Sequence, residues 1–173
     1  MLVPPLSFEQ ASPEAQAVLQ RALRSYGRLP NLLASMAHSP ATLQSYLGLT
    51  EHLQRTSLIP ADRERIALTV SALNGCEYCQ SAHAWLAQQR HLSPTDINQA
   101  IHRPDEHPLT RLAARLVRSS GALSQAHLAD ARSAGMTDEK LFEAVACIAW
   151  MHFSNYLGNL IKPAIDFPSV DTL

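Results

Sequence analysis

The most informative stretch of this chain reads Gly75-Cys76-Glu77-Tyr78-Cys79-Gln80-Ser81-Ala82-His83. Gly75 follows a predicted helix over residues 58–73, and a second predicted helix then runs to about His91. At roughly 100° per residue, both cysteines and His83 fall within an arc of about 60° on this second helix. The two thiols and the imidazole are therefore expected on one helix face.

This arrangement favours a working dithiol over a structural one. Cys76 and Cys79 lie in the first helical turn, where free N–H groups and the positive end of the helix dipole stabilise a thiolate. His83 follows Cys79 by four residues, a spacing at which helical side chains touch. Cysteines three apart on a helix have Cβ atoms about 5–6 Å apart, whereas a disulfide prefers about 3.8 Å. We therefore expect a bridge that forms with slight adjustment and is easily reduced.

Glu64 is a further candidate, one helix before the cysteines. It is expected to share a helix side with small and apolar neighbours, namely Ala67, Leu68, Ser71 and Gly75. A carboxylate in such surroundings is positioned to face His83. The alternative interpretation is an ordinary surface charge.

Length and composition limit the remaining classes. The 173 residues, 46% hydrophobic and 17% charged, predict one globular domain over residues 1–173. A net charge of −1 gives no reason to expect nucleic acid or an anionic membrane as partner. Residues 1–5 lack the basic and apolar regions of a signal peptide, and no apolar run matches a membrane span. A cytoplasmic location is expected, where a Cys-x-x-Cys pair is redox-active or metal-binding.

The fold is predicted to be all-α, with about eight helices and with the cysteine pair at a helix N-terminus. No segment shows the period-two pattern of a strand. The chain is expected to begin with an extended arm, residues 1–11, on a neighbouring subunit, and to end with a tail, residues 162–173. Helix starts are predicted at serine, threonine and proline signals, namely Ser12, Pro30, Ser39, Ser93, His107, Ser124 and Thr137.

The last predicted helix carries polar residues on its core-facing side. Its apolar stripe continues into His152, Asn155, Tyr156 and Asn159. Polar groups there need partners, so His152 and Asn155, together with Tyr78, are candidates for lining a substrate pocket. The alternative is a satisfied polar patch or a subunit contact. Cys147 is expected to be an inert core thiol.

Glu64 and the Cys76-x-x-Cys79-x-x-x-His83 pattern resemble the signature of the alkyl hydroperoxidase D branch of the carboxymuconolactone decarboxylase superfamily. The segments Leu29-Pro30-Asn31-Leu32 and His38-Ser39-Pro40 are similar to its peroxidase-related subgroup. The resemblance covers roughly residues 25–160.

This resemblance implies an all-helical trimer or hexamer that reduces hydroperoxides by thiol chemistry. It implies that Cys79 is the peroxidatic thiol, Cys76 the resolving thiol, and Glu64 and His83 the proton relay. Tyr78 stands where the best-studied branch has a histidine, so we do not carry over the lipoyl-linked reducing partner of that branch. The decarboxylase branch typically lacks the cysteine pair.

Three functional hypotheses and one structural alternative remain at this point. The first is a hydroperoxide reductase restored by an external, unidentified thiol reductant, with no metal or other cofactor. The second is a non-catalytic oligomer whose dithiol senses oxidation, and the third is a decarboxylase-like enzyme that uses the cavity at His152 and Asn155. The structural alternative is a pair of structural thiols or half a zinc site, and for zinc His83 supplies only a third ligand where four are needed.

Overall fold

Helices make up the regular structure in residues 2–168, the part of the chain that the computed structural model describes. Within it, nine α-helices and one 3-10 turn (Pro104–Glu106, between the sixth and seventh) follow in the order α1 (Pro13–Tyr26), α2 (Asn31–Met36), α3 (Pro40–Leu53), α4 (Pro60–Leu73), α5 (Glu77–Gln89), α6 (Pro94–His102), α7 (Pro108–Arg118), α8 (Gln125–Ser133) and α9 (Asp138–Ile161). The predicted all-α class is confirmed. Of the predicted domain, Met1 and residues 169–173 lie outside the described range.

The helices begin at the signals that the sequence carries. The side chains of Ser12, Ser39, Ser93, Ser124 and Thr137 each accept a hydrogen bond from a backbone N–H of the helix that follows. Such caps satisfy donors that have no partner inside the helix. Proline occupies the start of α1, α3, α4, α6 and α7, where its missing N–H removes no helical hydrogen bond. The helix boundaries therefore agree closely with those predicted.

Helix α4 is the centre of the structure. Its residues 66–71 are all buried, and it packs against α5, α6, α7 and α9. A helix surrounded in this way has no solvent-facing stripe along that part. The main core lies among α1, α2, α3, α4, α7 and α9, and a smaller core lies between α4, α5 and α6. Helices α4 and α5 are consequently held side by side, which fixes the groups that project between them.

The N-terminal arm lies on the helices of its own chain. Leu2 N donates to Ile161 O at 2.8 Å, and Leu6 N donates to Ala34 O at 3.2 Å. Val3 and Leu6 are partly buried against the main core. The described part of the predicted arm, residues 2–11, therefore finds backbone and apolar partners within its own chain, and a contact with a neighbouring subunit stays a prediction.

The C-terminal tail also packs on its own chain. Lys162 ends α9 in the left-handed conformation, at φ 49°, and the chain turns back toward α2. There Asp166 forms an ion pair with Arg28, at 2.7 Å, and accepts a hydrogen bond from Asn31 N at 3.1 Å. Within the described range, the predicted tail therefore packs on the helices of its own chain.

Candidate functional site

The two cysteines form a disulfide at the start of α5. Cys76 is the residue that caps the helix, and its Sγ accepts a hydrogen bond from Cys79 N at 3.3 Å. Cys76 and Cys79 are both deeply buried, at only 1% and 2% exposed. The reason is α9, whose Gly158 backbone passes so close that an added Cβ would lie 2.7 Å from Cys76 Sγ.

Glu64 and His83 form a hydrogen-bonded pair between α4 and α5. Glu64 Oε2 lies 2.7 Å from His83 Nδ1, and both side chains are largely buried. A carboxylate at this distance accepts a hydrogen bond from Nδ1–H, which leaves Nε2 as the ring nitrogen able to exchange a proton with its surroundings. The ring of His83 also meets the ring of Trp150 edge-on, at 5.5 Å between centroids. The expectation that Glu64 faces His83 agrees with this geometry.

A cavity of about 380 Å³ brings Cys79 together with this pair. Cys79, His83 and Glu64 all line it, and aromatic rings make up much of the remaining wall, contributed by Tyr26, Tyr46, Tyr78, Trp85, Trp150 and Phe167. The volume is that of a site for a small organic molecule. Burial, together with the charge of Glu64, raises the pKa of Tyr26 to about 12, so this hydroxyl stays neutral. The cavity thus combines a largely aromatic wall with the Glu64–His83 pair and the Cys79 sulfur, and three arginines also line it, namely Arg28, Arg63 and Arg90.

The tail forms part of the cavity wall. The Tyr78 hydroxyl donates to Asp166 Oδ1 at 2.8 Å and accepts from Leu32 N at 3.3 Å. Phe167 packs edge-on against Tyr78, and Arg28 lies 4.3 Å from the centroid of the Phe167 ring. Burial raises the pKa of the Tyr78 hydroxyl far above its ordinary value, so it remains a neutral donor. Of the predicted pocket residues, Tyr78 therefore does line the cavity.

His152 and Asn155 belong to a different cluster, and neither lines this cavity. Asn74 donates to His152 Nδ1 at 3.0 Å and to Asn155 Oδ1 at 2.9 Å. Asn155, fully buried, donates in turn to Ser71 Oγ at 3.2 Å. The placement of His152 and Asn155 at a substrate pocket is therefore corrected to a hydrogen-bonded contact between α4 and α9. Burial lowers the pKa of His152.

Cys147, the third cysteine, is fully buried, and desolvation raises the pKa of its thiol to about 12. This agrees with the inert core thiol that the sequence predicts. In residues 2–168, no group of three or more His, Cys, Asp or Glu side chains is placed to hold a metal ion. Over the same residues, no helix has both the length and the apolar character needed to cross a membrane.

Comparison with known proteins agrees with this geometry. Residues 40–105 match the profile of the Carboxymuconolactone decarboxylase family, and this segment contains Glu64, Cys76, Cys79 and His83. The predicted resemblance to its alkyl hydroperoxidase D-like branch is confirmed. No protein of curated function matches the chain.

The family segment lies in a fold shared with several solved structures. The alkylhydroperoxidase D core of an uncharacterized peroxidase-related protein from Ralstonia eutropha JMP134 has a TM-score of 0.82 at 19% identity, over 96% of this chain and 94% of that one. A cysteine-to-alanine variant of the debrominase Bmp8, in complex with 2,3,4-tribromopyrrole, has a TM-score of 0.77 at 23% identity, over 96% and 92%. An uncharacterized peroxidase-related protein from Silicibacter sp. TM1040 also has a TM-score of 0.77 at 23% identity, over 93% and 91%. At these identities the likeness establishes the fold.

Sequence reasoning missed several residues of the cavity. Arg28, Trp150 and Phe167 reach the wall from α1's C-terminal loop, from α9 and from the tail. Each is far from the cysteines along the chain, and no spacing or motif links them.

Proposed function

We propose that this chain is a thiol-dependent hydroperoxide reductase. The observation that carries the proposal is the shared cavity of Cys79 and His83, with His83 Nδ1 held 2.7 Å from Glu64 Oε2. A nucleophile beside a histidine that is oriented by a carboxylate is the arrangement that activates thiols. The family segment and the peroxidase-related neighbours support an enzymatic role.

In the reduced protein, His83 Nε2 takes the thiol proton of Cys79, and the positive charge on the imidazole is stabilised by Glu64. The Cys79 thiolate then attacks one oxygen of the hydroperoxide. The O–O bond breaks, Cys79 becomes a sulfenic acid, and the leaving alkoxide takes the proton back from His83 to become an alcohol. For hydrogen peroxide the product is water.

Cys76 completes the reaction as the resolving thiol. Its sulfur attacks the sulfenic sulfur of Cys79, water leaves, and the Cys76–Cys79 disulfide forms. The Cα atoms of the two residues lie 5.3 Å apart, within the usual range for disulfides. An external dithiol then reduces the bridge by two exchange steps and is itself oxidised to a disulfide.

The proposal includes no bound metal, flavin or other cofactor, because the electrons come from the external dithiol. It also includes a cytoplasmic location, where reductants are available, and a homo-oligomer of three or six chains. Exposed apolar side chains on α9 support self-association, since Phe142, Tyr156 and Leu160 are 78%, 65% and 62% exposed.

A second candidate is reductive dehalogenation of an aromatic ring. It is favoured by the aromatic wall of the cavity and by the fold shared with a debrominase that was solved with a halogenated pyrrole. The same dithiol would supply two electrons, and the products would be the disulfide, the dehalogenated ring and a halide ion. Halide release from a bromopyrrole, measured beside peroxide consumption, separates the two reactions.

The test is peroxide consumption with dithiothreitol as reductant. Wild type and the matched control Cys147→Ala should turn over many times, whereas Cys79→Ser should fall to the background rate. Cys147 is the suitable control because it is the third cysteine and lies away from the cavity. Undiminished consumption by Cys79→Ser would contradict the proposal. Oxidation of wild type once per chain, without turnover, would instead favour the redox sensor.

The two cysteines should differ when replaced. Cys76→Ser should still react once with peroxide and then accumulate a sulfenic acid on Cys79 that a dimedone-type probe traps. Peptide mass mapping identifies the labelled residue. A trapped Cys76 in the Cys79→Ser protein, with Cys76→Ser inert, would reverse the assigned roles.

A further inference from the structure

The two sulfurs of the disulfide line different cavities. Cys79 belongs to the wall of the 380 Å³ cavity, beside His83. Cys76 belongs to the wall of a second cavity, of about 320 Å³, between the start of α5 and the end of α9. Tyr78 borders both cavities, but Cys79 lines only the first and Cys76 only the second. Each end of the S–S bond is therefore approached from its own side of the molecule.

The second cavity opens to solvent. Exposed residues form its mouth, namely Gly75, Glu77, Asn159, Lys162 and Ile165. At its base is Gly158, where an added Cβ would lie 2.7 Å from Cys76 Sγ. The glycine therefore lets α9 pass beside the sulfur without a side chain that would fill this space.

We propose that the external dithiol reaches the disulfide through the second cavity and attacks Cys76 Sγ. This inference rests on the proposed function and adds where its reductant binds. A reductant on the other side would have to occupy the cavity that the peroxide uses. Separate approaches remove that competition.

The exchange step fits this direction of attack. A thiolate of the reductant forms a bond to Cys76 Sγ, the S–S bond breaks, and Cys79 leaves as a thiolate into the cavity where His83 supplies a proton. The second thiol of the reductant then attacks its own sulfur in the mixed disulfide and releases Cys76 as a thiolate, which takes up a proton. One dithiol is oxidised and one disulfide is reduced, and Cys79 is restored facing the peroxide cavity.

The size of the second cavity defines the class of reductant. A volume of about 320 Å³ around a sulfur that is 1% exposed admits a slender thiol, such as a low-molecular-weight dithiol or a thiol on a flexible arm. It does not admit the surface of a folded protein. A thioredoxin-type protein is therefore expected to reduce the disulfide no faster than dithiothreitol does, and a much faster reaction would overturn this class.

The first experiment fills the second cavity. Asn159 lines it and donates a hydrogen bond to Asn74 O at 2.8 Å. Asn159→Trp and Asn159→Ala both lose this bond, but only the tryptophan fills the space. We expect dithiothreitol to reduce the disulfide of Asn159→Trp at least about fivefold more slowly than that of Asn159→Ala. Equal rates would overturn the proposal.

The same two variants separate this proposal from the function on which it rests. Single-turnover oxidation of the reduced proteins by peroxide should be equal for both, because the peroxide cavity is unchanged. Suppose that peroxide oxidises neither wild type nor the two variants, while dithiothreitol still reduces the disulfide of Asn159→Trp more slowly. That result would count against the proposed function alone. Slower peroxide oxidation of Asn159→Trp would show that the two cavities are not independent, and would overturn the separate approaches.

The second experiment does not depend on a substitution. The oxidised wild-type protein is mixed with a monothiol, 2-mercaptoethanol, quenched in acid, alkylated and mapped by mass spectrometry. The monothiol adduct should be on Cys76 and the alkyl group on Cys79. An adduct mainly on Cys79, or shared equally, would contradict attack through the second cavity.

Discussion

Two histidines lie in buried polar clusters of this fold, and they differ in the group that holds them. Glu64 accepts a hydrogen bond from His83 Nδ1–H, whereas Asn74 donates a hydrogen bond to His152 Nδ1. Glu64 therefore holds Nδ1–H and leaves Nε2 of His83 as the ring nitrogen that can take a proton from a neighbour. Protonation of His152 would place two donors against each other and break the hydrogen bond from Asn74. The comparison indicates that the bonding partner, more than burial, separates a working histidine from a structural one.

The surroundings of the two histidines also differ, because only His83 lies beside a cavity that a substrate could enter. His83 shares a cavity with Cys79, and one face of the site is open to a small molecule. The cluster at His152 joins α4 to α9 through Asn74, Asn155 and Ser71, and its polar atoms bond to one another. The following predictions test this division, in order of decreasing effect.

The largest effect is expected for His83→Gln. Loss of the general base should reduce peroxide consumption at neutral pH by about 10²–10⁴-fold. The matched control is His152→Gln, which should change the rate by less than about twofold because that residue does not line the cavity. Peroxide assays on both variants check this, with thermal unfolding to confirm that they fold. Equal loss in both would remove the distinction between the two clusters.

Glu64→Gln should have a smaller effect, of about tenfold on the peroxide rate. The amide oxygen can still accept the Nδ1–H hydrogen bond and orient the ring, but the charge that stabilises the imidazolium is lost. The pH–rate profile measures this effect. A loss as large as that of His83→Gln would identify Glu64 itself as the base.

Asn155→Ala should lower the stability of the fold and leave the peroxide rate nearly unchanged, the opposite of the effect expected for His83→Gln. It leaves Asn74 and Ser71 without their shared partner in a fully buried position, which costs about 1–3 kcal/mol of unfolding free energy. Denaturant unfolding measures the loss, and the peroxide rate per folded molecule should stay near that of wild type. A catalytic defect without a stability defect would return Asn155 to the list of site residues.

The smallest effect concerns the pH dependence of stability at His152. Burial lowers its pKa in the folded state, so the unfolded chain binds the proton first as pH falls through about 6.5. The folded state therefore loses stability toward lower pH and keeps it above that value. His152→Gln should lessen the loss of melting temperature between pH 7 and pH 5.5. His107, whose pKa is also lowered, remains in both proteins and accounts for part of the slope that persists.

How far the sequence predicts this site depends on the distance along the chain. Glu64, Cys79 and His83 lie on successive helices, so helical spacing and one turn at Gly75 were enough to bring them together. The tail was not predictable in this way. Its contacts to Arg28 and Tyr78 join residues separated by 138 and 88 positions, and they depend on how α1, α5 and α9 pack.

The cluster at His152 and Asn155 shows a second limit. The sequence correctly predicts that Asn155 faces the core and needs partners, because the apolar stripe of α9 continues through it. The sequence does not predict which part of the core Asn155 faces. Trp150 and Ser154 line the cavity, while Asn155, one residue on and rotated by about 100°, faces Asn74 and Ser71. That rotation is set by the packing of α9 on α4.

The central claim is that the Glu64–His83 pair activates Cys79, and the pH profile of its alkylation tests it most directly. Iodoacetamide is reacted with the reduced Cys76→Ser protein, so that Cys79 is the reporting thiol while Cys147 stays buried. We predict half-maximal reactivity below pH about 8.5, the usual value for a free thiol, with an increase of about one unit when His83→Gln is added and none when His152→Gln is added. A profile that neither substitution moves would contradict the account and leave Glu64 and His83 as structural residues.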